Sequence, residues 1–251
     1  MPQRLTRRSL AAVSRRLDRP ELLAAFYPGA RRELREQVAI RAILAGALRR
    51  DSDYVDVGTN RGQVLAEAVR VAPDGRHVAF EPIPALAQEV ERSFPTVECR
   101  RLALGARFGE AQFCHFRDLD GWSGLRRNPE ISDERGRPEF IAVTVSTLDA
   151  ELEGMAPAVL KIDVEGAELE VLEGARAVLA RAQPIVIFEH VPSAASLYGS
   201  SPGAPWDLLD ELGYRVFSVT GDGPYSRAAF AGAGDGVVNW LATPAGRAAQ
   251  G

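Results

Sequence analysis

The sequence has few cysteines and no long apolar segment, and each scarcity excludes a class of protein. Two cysteines, Cys99 and Cys114, are too few for a disulfide framework, so we expect a reducing, cytoplasmic environment. No run of about 18 apolar residues occurs, so no membrane span is predicted. The basic N-terminus also lacks the apolar core of a secretory signal.

Lysine is almost absent, and the positive charge is carried by arginine and concentrated at one end. Residues 1–50 hold 12 arginines and 4 acidic residues, whereas residues 51–251 hold 18 basic and 30 acidic residues. The basic end could contact nucleic acid, an acidic lipid surface or an acidic face of its own domain. We favour the last of these, and the net charge of −4 argues against a nucleic-acid partner.

The spacing of apolar residues divides the chain into two parts. Residues 1–50 predict an N-terminal helical extension, which could pack against a second subunit in a homo-oligomer. Its helices are expected over 4–17, after Pro20 and over 30–50, the last with Val38, Ile40, Ile43 and Leu48 among its buried positions. Residues 51–245 form the main domain.

Strand-like runs alternate with helical ones throughout the main domain. Repeated β-α-β units with near-continuous Val, Ile and Leu strands predict an α/β fold, with a mostly parallel sheet and helices on both faces. The predicted strands cover 53–57, 76–81, 97–102, 110–116, 139–146, 158–164, 184–190 and a closing antiparallel pair at 214–220 and 237–242; the predicted helices cover 62–71, 84–93, 167–180 and 205–212.

Ionisable residues recur where these strands end. Ligands of such sheets bind beyond the carboxyl ends of the strands, so we predict the binding site there. The residues at or near these ends are Asp56, Glu81, Asp163, Glu189 and His190.

The stretch DYVDVGTNRG, residues 53–62, predicts a strand, a tight turn and a helix whose free amides face a ligand. Gly58 and Gly62 allow the turn and a close approach to the ligand. Asn60 stands where the dinucleotide fingerprint G-x-G-x-x-G has its middle glycine, so no pyrophosphate cradle is expected.

Glu81 ends the next predicted strand, about twenty residues further on, where an acid can accept both hydroxyls of a ribose. The turn and this acid together indicate a nucleoside-containing cofactor. A cofactor with an amino-acid moiety fits best: backbone amides would bind its carboxylate, and Asp56 would lie near its ammonium group.

Two further clusters indicate chemistry. Asp163 follows apolar strand residues. An acid at the carboxyl end of a buried strand must be solvated, paired with a partner or part of a functional site. His190 is the histidine at a ligand-side strand end, where it could take a proton near neutral pH or order its loop. We predict Asp163 or His190 as the catalytic base. Glu165 and Glu168 are either helix caps or part of the site.

Asp163, Glu189 and His190 also supply oxygen and nitrogen atoms that could bind a divalent ion. Nothing in their spacing is specific for a metal, so no metal is predicted. The polar segment 117–138, which contains Trp122 and Leu125, predicts a lid that faces the substrate.

Taken together, these motifs resemble the FkbM family of S-adenosylmethionine-dependent methyltransferases over roughly residues 51–242. The resemblance rests on YVDVGTNRG, the strand-ending FEP at 80–82, VSTLDA at 145–150, LKIDVEGAELEVLEGA at 160–175 and IVIFEH at 185–190. The family usually shows DVGANxG, so Thr59 and Arg61 are departures. The stretch RRLALG also lacks the family's Asn before its Ala-Leu-Gly turn.

The resemblance implies a Rossmann-like class I methyltransferase fold with a seven-stranded sheet, and methyl transfer to a hydroxyl oxygen of a sugar or natural-product scaffold. It places Asp163 near the transferring methyl group. The residues it assigns to S-adenosylmethionine are Asp56, Gly58, Asn60 and Gly62 at the methionine end, Glu81 at the ribose, Pro82 in the FEP motif, and Leu102 and Ala103 at the adenine.

Three other functions remain open from the sequence. An NAD-dependent oxidoreductase would share the sheet and the ribose-binding acid, although Asn60 counts against it. A non-catalytic nucleoside-binding module would keep the fold without the chemistry. A nucleic-acid methyltransferase would use the arginine-rich N-terminus, and its affinity would fall steeply with salt.

Overall fold

The structure is a computed structural model that describes residues 28–117, 120–127, 129, 131 and 137–246. The helices predicted over 4–17 and after Pro20 lie outside the described residues. The predicted boundary between extension and main domain at residue 50 stays a prediction. No helix within the described ranges is long and apolar enough to cross a membrane.

The main domain alternates strands and helices as the sequence predicts. The strands are β1 (Tyr54–Val57), β2 (His77–Phe80), β3 (Glu98–Arg100), β4 (Ala103–Leu104), β5 (Gly109–His115), β6 (Glu139–Ser146), β7 (Val159–Ile162), β8 (Ile185–Glu189), β9 (Tyr214–Ser218) and β10 (Asn239–Pro244). The helices are α1 (Pro28–Ala47), α2 (Gln63–Val71), α3 (Pro84–Ser93), α4 (Leu148–Glu151), α5 (Glu168–Glu173), α6 (Arg176–Ala182), α7 (Pro192–Ala195), α8 (Ala204–Glu211) and α9 (Arg227–Gly232).

Seven strands form one sheet in the order β3-β2-β1-β7-β8-β10-β9. The first five run parallel, and β10 is antiparallel to both β8 and β9. This order confirms the mostly parallel sheet and the closing antiparallel pair. The carboxyl ends of the parallel strands therefore meet along one edge, which we call the carboxyl edge.

Alternate strand residues point to opposite sides of this sheet. Both sets are apolar here, and helices cover both faces. Val55, Leu160 and Phe188 enter one core, together with residues of α5, α6 and α8. Tyr54, Val159 and Ile187 enter the other, together with residues of α1, α2 and α3. We call these sides the α5 face and the α1 face.

A second sheet, in the order β4-β6-β5, stands beside the first. Strands β5 and β6 pair antiparallel over their length, so the two extended runs around the polar segment 117–138 are a hairpin. Phe113 and Val143 from this hairpin pack with Ile83 and Leu86 at the start of α3. The hairpin therefore closes one side of the space above the carboxyl edge.

Three expectations are corrected by long-range packing. The helix predicted over 167–180 is divided into α5 and α6 at Gly174, where a Cβ would lie 2.2 Å from the carbonyl oxygen of Gly105. Helix α1, described from Pro28, ends at Ala47 and not at residue 50 as predicted. Val38 is 57% exposed, whereas Ile40 and Leu48 are buried.

Candidate active site

A cavity opens above the carboxyl edge, between the ends of β1, β2 and β7 and the second sheet. The space it encloses is about 710 Å³, including open solvent at its mouth. Seven of the sequence-predicted site residues contribute to its walls: Gly58, Asn60, Glu81, Pro82, Leu102, Ala103 and Asp163.

The turn after β1 requires glycine at its first position. Gly58 has φ +75°, and a Cβ there would lie 1.8 Å from the carbonyl oxygen of Asp163. The turn therefore packs directly on the loop that follows β7, and it fixes the two walls of the cavity relative to each other. Gly62 also has φ +75°, but it packs against Phe94 and does not line the cavity.

The amides of Gly58, Thr59, Asn60 and Gly62 in this turn bond within the protein, and the expectation that the first amides of α2 face a ligand stays a prediction. Gly58 and Thr59 donate to the carbonyl oxygen of Phe80, and Gly62 donates to Thr59. The Asn60 amide donates to Glu81 Oε2 over 2.9 Å. A cofactor carboxylate would have to find its donors outside these four residues.

Glu81 is held in place by backbone amides on both sides. Its Oε2 accepts from Asn60, and its Oε1 accepts from the Ile83 amide over 2.9 Å. The buried Glu81 carboxylate, at the cavity wall, is thus fixed in position by two backbone amides.

The opposite part of the cavity is apolar. Its walls include Ile83, Leu86, Leu102, Ala103, Phe113 and Leu125. Part of the predicted lid is among them, because Gly121, Ser123 and Leu125 all line the cavity. An isolated antiparallel β-bridge, formed by backbone hydrogen bonds between Cys114 and Gly124, attaches this segment to β5. Trp122 instead packs outside the cavity, against a small cluster around Phe116.

Three carboxylates meet at the inner end of the cavity. One oxygen from each of Asp163, Glu165 and Glu189 lies within 4.8 Å of the others, and we call these three residues the acid group. Asp163 and Glu165 line the cavity itself. Glu189 is hydrogen-bonded to Asp163 from the end of β8. The structure thus joins Asp163 and Glu189, as expected, and adds Glu165.

The three carboxyl groups differ in their affinity for protons. Burial and the neighbouring charge of Asp163 raise the pKa of Glu189 and of Glu165 well above its ordinary value. Burial also acts on Asp163, but the Lys161 ammonium and the hydrogen bond from Glu189 bring its pKa below the ordinary value. Between these two hydrogen-bonded groups, the shifts favour the proton on Glu189 and the charge on Asp163.

Lys161 compensates this negative charge from behind the cavity. Its Nζ lies 3.0 Å from Asp163 Oδ2 and 3.5 Å from Asp56 Oδ1. Burial opposes the charge on the lysine, yet the two carboxylates raise its pKa. Lys161 is therefore a permanent cation, and it keeps Asp163 ionised.

Asp56 is buried beneath the cavity and does not line it, which corrects the expectation that it meets a cofactor ammonium group. Its Oδ2 accepts from the Thr59 hydroxyl over 3.1 Å. Burial raises the pKa of Asp56, against the opposing effects of Lys161 and Thr59. Thr59, where the resembled family usually has alanine, is thus a structural partner of Asp56.

Glu168 secures the loop that carries Glu165. Its Oε1 accepts from the amides of Val164 and Gly166, so the helix-capping interpretation describes its contacts. Burial raises its pKa to about 7. Glu165 itself has φ +56°, a rare conformation for a residue with a side chain, so the loop holds it in one particular orientation.

His190 does not face the cavity, which corrects the expectation that it shares a space with Asp163. Its ring is buried, stacks on Phe230 at 5.2 Å between centroids, and Nε2 lies 3.2 Å from the Pro202 carbonyl oxygen. Burial lowers its pKa, so the ring is neutral near neutral pH. It orders its loop, and it is absent from the acid group that could ligate a divalent ion.

The strand order and the cavity define a Rossmann-like class I methyltransferase fold, with its ligand space above the ends of β1, β2 and β7. The sequence profile of the methyltransferase FkbM domain matches residues 56–216, well over half of the chain. The chain therefore belongs to the FkbM methyltransferase domain family.

Individual relatives are more distant. The methyltransferase sdnD of Sordaria araneosa is 29% identical over 152 residues, which cover 48% of this chain and 59% of that relative. The chain thus corresponds to less than two thirds of this curated relative. A methyltransferase FkbM crystal structure from Methylobacillus flagellatus has 16% identity and a TM-score of 0.49, covering 78% of this chain and 44% of that one.

A TehB-like SAM-dependent methyltransferase from Corynebacterium glutamicum has 9% identity and a TM-score of 0.46, with 82% of this chain and 86% of that one covered. Because both TM-scores are below 0.5, the fold assignment rests on the strand order and on the family match.

Proposed function

We propose that this chain transfers the methyl group of S-adenosylmethionine to a hydroxyl oxygen of a small molecule, such as a sugar or a natural-product scaffold. One observation carries the proposal. The same cavity has a fixed carboxylate, Glu81, at its ribose end and a proton-accepting carboxylate, Glu165, at its inner end.

The lining fits an adenosyl cofactor that carries no phosphate. The apolar walls around Leu102 and Ala103 suit an adenine, and a fixed carboxylate such as that of Glu81 suits a ribose. Among the described residues that line the cavity, none is an arginine or a lysine. This lining favours S-adenosylmethionine over NAD, whose pyrophosphate would need positive charge or free amides.

The acid group suits the positive charge of the proposed cofactor. S-adenosylmethionine, when bound, supplies a methyl group on a positively charged sulfur. Asp163, held ionised by Lys161, places a fixed negative charge at the inner end of the cavity. A carboxylate fixed in this way stabilises a nearby cation without reorganising during the reaction.

Glu165 is our candidate for the base, in place of His190 and in preference to Asp163. It lines the cavity, and its raised pKa gives a carboxylate that binds a proton more strongly than an ordinary one. Its carboxylate would take the proton from the acceptor hydroxyl as the oxygen forms its new bond. Asp163 is the weaker base because Lys161 lowers its pKa.

Sequence reasoning did not select Glu165, because an acid just before a helix is usually a cap. The usable signal was the pair Glu165-Gly166 directly after a strand-ending acid. Both residues adopt positive φ, which points the Glu165 side chain away from the capping position that Glu168 occupies.

Ligand-dependent thermal unfolding tests the cofactor assignment without knowledge of the acceptor. At about 100 times its dissociation constant, S-adenosylhomocysteine should add about 2.7 kcal/mol to the free energy of unfolding. Glu81→Gln should lose most of this gain, whereas Glu110→Gln on exposed strand β5 should keep it. Stabilisation by NAD alone would favour the oxidoreductase.

Methyl transfer itself separates an enzyme from a non-catalytic module of the same fold. Purified protein with methyl-labelled cofactor should label hydroxyl compounds from a panel of sugars, phenols and polyketide-like alcohols. Matched amines in the same panel distinguish oxygen from nitrogen as the acceptor atom. Cofactor binding with no labelled product in any arm would support the non-catalytic module.

A further inference from the structure

Tyr198, which has no part in the proposed mechanism, contacts the described part of the predicted lid. This residue ends a 3₁₀ turn over Ser196–Tyr198, which follows α7. Its hydroxyl oxygen accepts a hydrogen bond of 3.0 Å from the backbone amide of Arg126, 72 residues away in the sequence. Tyr198 does not line the cavity, whereas Leu125, directly before Arg126, does. The hydrogen bond therefore attaches a cavity wall to a loop outside the cavity.

Gly124 places the lid against both Tyr198 and the candidate base. A Cβ at Gly124 would lie 3.1 Å from the Tyr198 hydroxyl oxygen and 3.6 Å from Glu165 Cβ. The Gly124 backbone also exchanges two hydrogen bonds with Cys114 of β5, of 2.9 and 3.1 Å. The buried backbone of Gly124 thus links β5 to Tyr198 and to Glu165.

The ring of Tyr198 packs against the residue that follows Glu165. A Cβ at Gly166 would lie 3.0 Å from Tyr198 Cε2 and 2.7 Å from the carbonyl oxygen of Ala194 in α7. Gly166 also has φ +107°, so its backbone and this close approach both require glycine. Tyr198 and α7 therefore fix the position of the backbone next to Glu165.

The lid also keeps water from the Glu165 side chain. Burial is the largest cause of the raised pKa of Glu165, ahead of the charges of Asp163 and Glu168. Part of that burial comes from the lid, because Gly124 lies against Glu165. Displacing the lid would expose the Glu165 carboxylate to water and bring its pKa back toward the ordinary value.

We propose that Tyr198 is a positioning residue for Glu165. Its ring holds the Gly166 backbone, its hydroxyl holds the lid at Arg126, and together these contacts keep the Glu165 carboxylate turned into the cavity. Tyr198 does not line the cavity, so it would act through Glu165 and not on the reacting atoms. This inference rests on the proposed function, in which Glu165 takes the proton of the acceptor hydroxyl.

Hydrogen exchange tests the lid contact without an acceptor. Tyr198→Phe keeps the ring and removes the oxygen that accepts from Arg126. The Arg126 amide should then exchange roughly fivefold faster, as expected when one hydrogen bond is lost. Mass spectrometry of peptides that contain Arg126 measures this rate. Tyr225→Phe is the matched control, because Tyr225 is another half-buried tyrosine that does not line the cavity. Unchanged exchange in Tyr198→Phe would show that the hydroxyl does not hold the lid.

Turnover tests the positioning role, once methyl labelling has identified an acceptor. Tyr198→Phe should lower kcat by roughly 10- to 100-fold, since small displacements of a catalytic group have effects of this size. The KM for S-adenosylmethionine should stay close to the parent value, because Glu81 is unchanged. The rise of the rate with pH should move to lower pH, because a hydrated Glu165 carboxylate has a lower pKa.

A shift of the pH profile reports the exposure of Glu165 to water. The charged groups that act on Glu165 include Asp163, Glu168, Glu189 and Lys161, and all of them remain in Tyr198→Phe. Tyr198 itself stays protonated over this range, because burial raises its pKa. A variant that is merely less stable would lose activity without a shift of the profile.

A double-mutant cycle shows whether Tyr198 acts through Glu165. In the Glu165→Gln background, Tyr198→Phe should lower the rate much less than in the parent protein, because the group that it positions is already absent. Equal effects in both backgrounds would overturn the proposal. So would parent-like turnover and pH dependence in Tyr198→Phe, or normal turnover in Glu165→Gln.

Failure of the proposed function looks different. The parent protein would then transfer no methyl group to any acceptor, whereas hydrogen exchange would still detect the lid contact. That result would leave Tyr198 as a structural residue.

Discussion

The two ends of the cavity above the carboxyl edge differ in the number of carboxylates and in the groups that stabilise them. At the ribose end, Glu81 is a single carboxylate with two backbone amides bonded to it. At the inner end, three carboxylates crowd within 4.8 Å of one another, with one buried lysine behind them. Under the proposed function, the Glu81 end binds the ribose and the inner end takes the proton from the acceptor, so that binding and chemistry would belong to different ends of one cavity.

The largest effect is expected when the carboxylate of Glu165, at the inner end, is replaced by a neutral amide. With an acceptor identified by methyl labelling, Glu165→Gln should lower turnover by about 10²- to 10⁴-fold, the usual contribution of a general base. Because the pKa of Glu165 is raised, its base form grows as pH rises through that value. The wild-type rate should rise with pH in this range, and the variant should lose that rise.

The variant should still be stabilised by S-adenosylhomocysteine, because Glu81 is unchanged. Glu153→Gln, an exposed acid outside the cavity, serves as the control for a change of charge alone. Near-normal turnover with the same pH dependence in Glu165→Gln would remove Glu165 from the mechanism.

Gly58 lies in the wall between the two ends of the cavity, and a substitution there should disturb the packing of the β1 turn on the loop after β7. Gly58→Ala would push a methyl group into the carbonyl oxygen of Asp163 and would place alanine at φ +75°. Steric overlap and the left-handed backbone together should cost roughly 3 to 5 kcal/mol of stability. Urea unfolding measures this loss.

Gly46→Ala is the matched control, because no atom lies within 4 Å of its Cβ position and the residue is in helix α1. That change should be neutral or stabilising by up to about 1 kcal/mol. Equal stability of the two alanine variants would contradict the close packing of the turn on the β7 loop.

The burial of Glu168 beside the loop that carries Glu165 predicts a pH-dependent stability. Its pKa of about 7 in the folded chain lies above the ordinary value, so folding favours its protonated form. That stabilisation is present at acidic pH and is lost as pH rises through about 7, by roughly 3 kcal/mol. Glu168→Gln should match the wild type near pH 5 and exceed it near pH 9.

Glu173→Gln, on the exposed side of the same helix, should leave the difference between the two pH values unchanged. Urea unfolding at both pH values is the measurement. A Glu168→Gln variant that is less stable than the wild type near pH 9 would show that its contacts outweigh the cost of its charge.

The smallest effect on turnover is expected from substitution of His190, which does not line the cavity at either end. His190→Asn should reduce stability by about 1 to 3 kcal/mol through lost packing on Phe230 and a lost hydrogen bond. Turnover by the folded fraction should stay within a few-fold of the wild type. A loss as large as that of Glu165→Gln would restore the histidine as a catalytic candidate.

The same contrast explains how much the sequence could predict. The positions of Gly58 and Glu81 follow from local patterns: an apolar strand, a turn glycine, and an acid at the next strand end. The direction of Glu165 depends on its positive φ, and that of His190 depends on its stacking on Phe230 from a distant helix; no short sequence pattern describes either. The helix break at Gly174 likewise depends on Gly105, far away in the sequence.

Lys161 has a practical consequence for handling the protein. It is the only lysine of the chain, and its amine is enclosed between two carboxylates with 7% of the side chain accessible. Acylating reagents should therefore modify the folded chain almost entirely at its α-amino terminus. Unfolding would expose the Lys161 amine as one additional reactive nitrogen. Mass spectrometry after a brief pulse of reagent would therefore measure the fraction of molecules that are unfolded during the pulse.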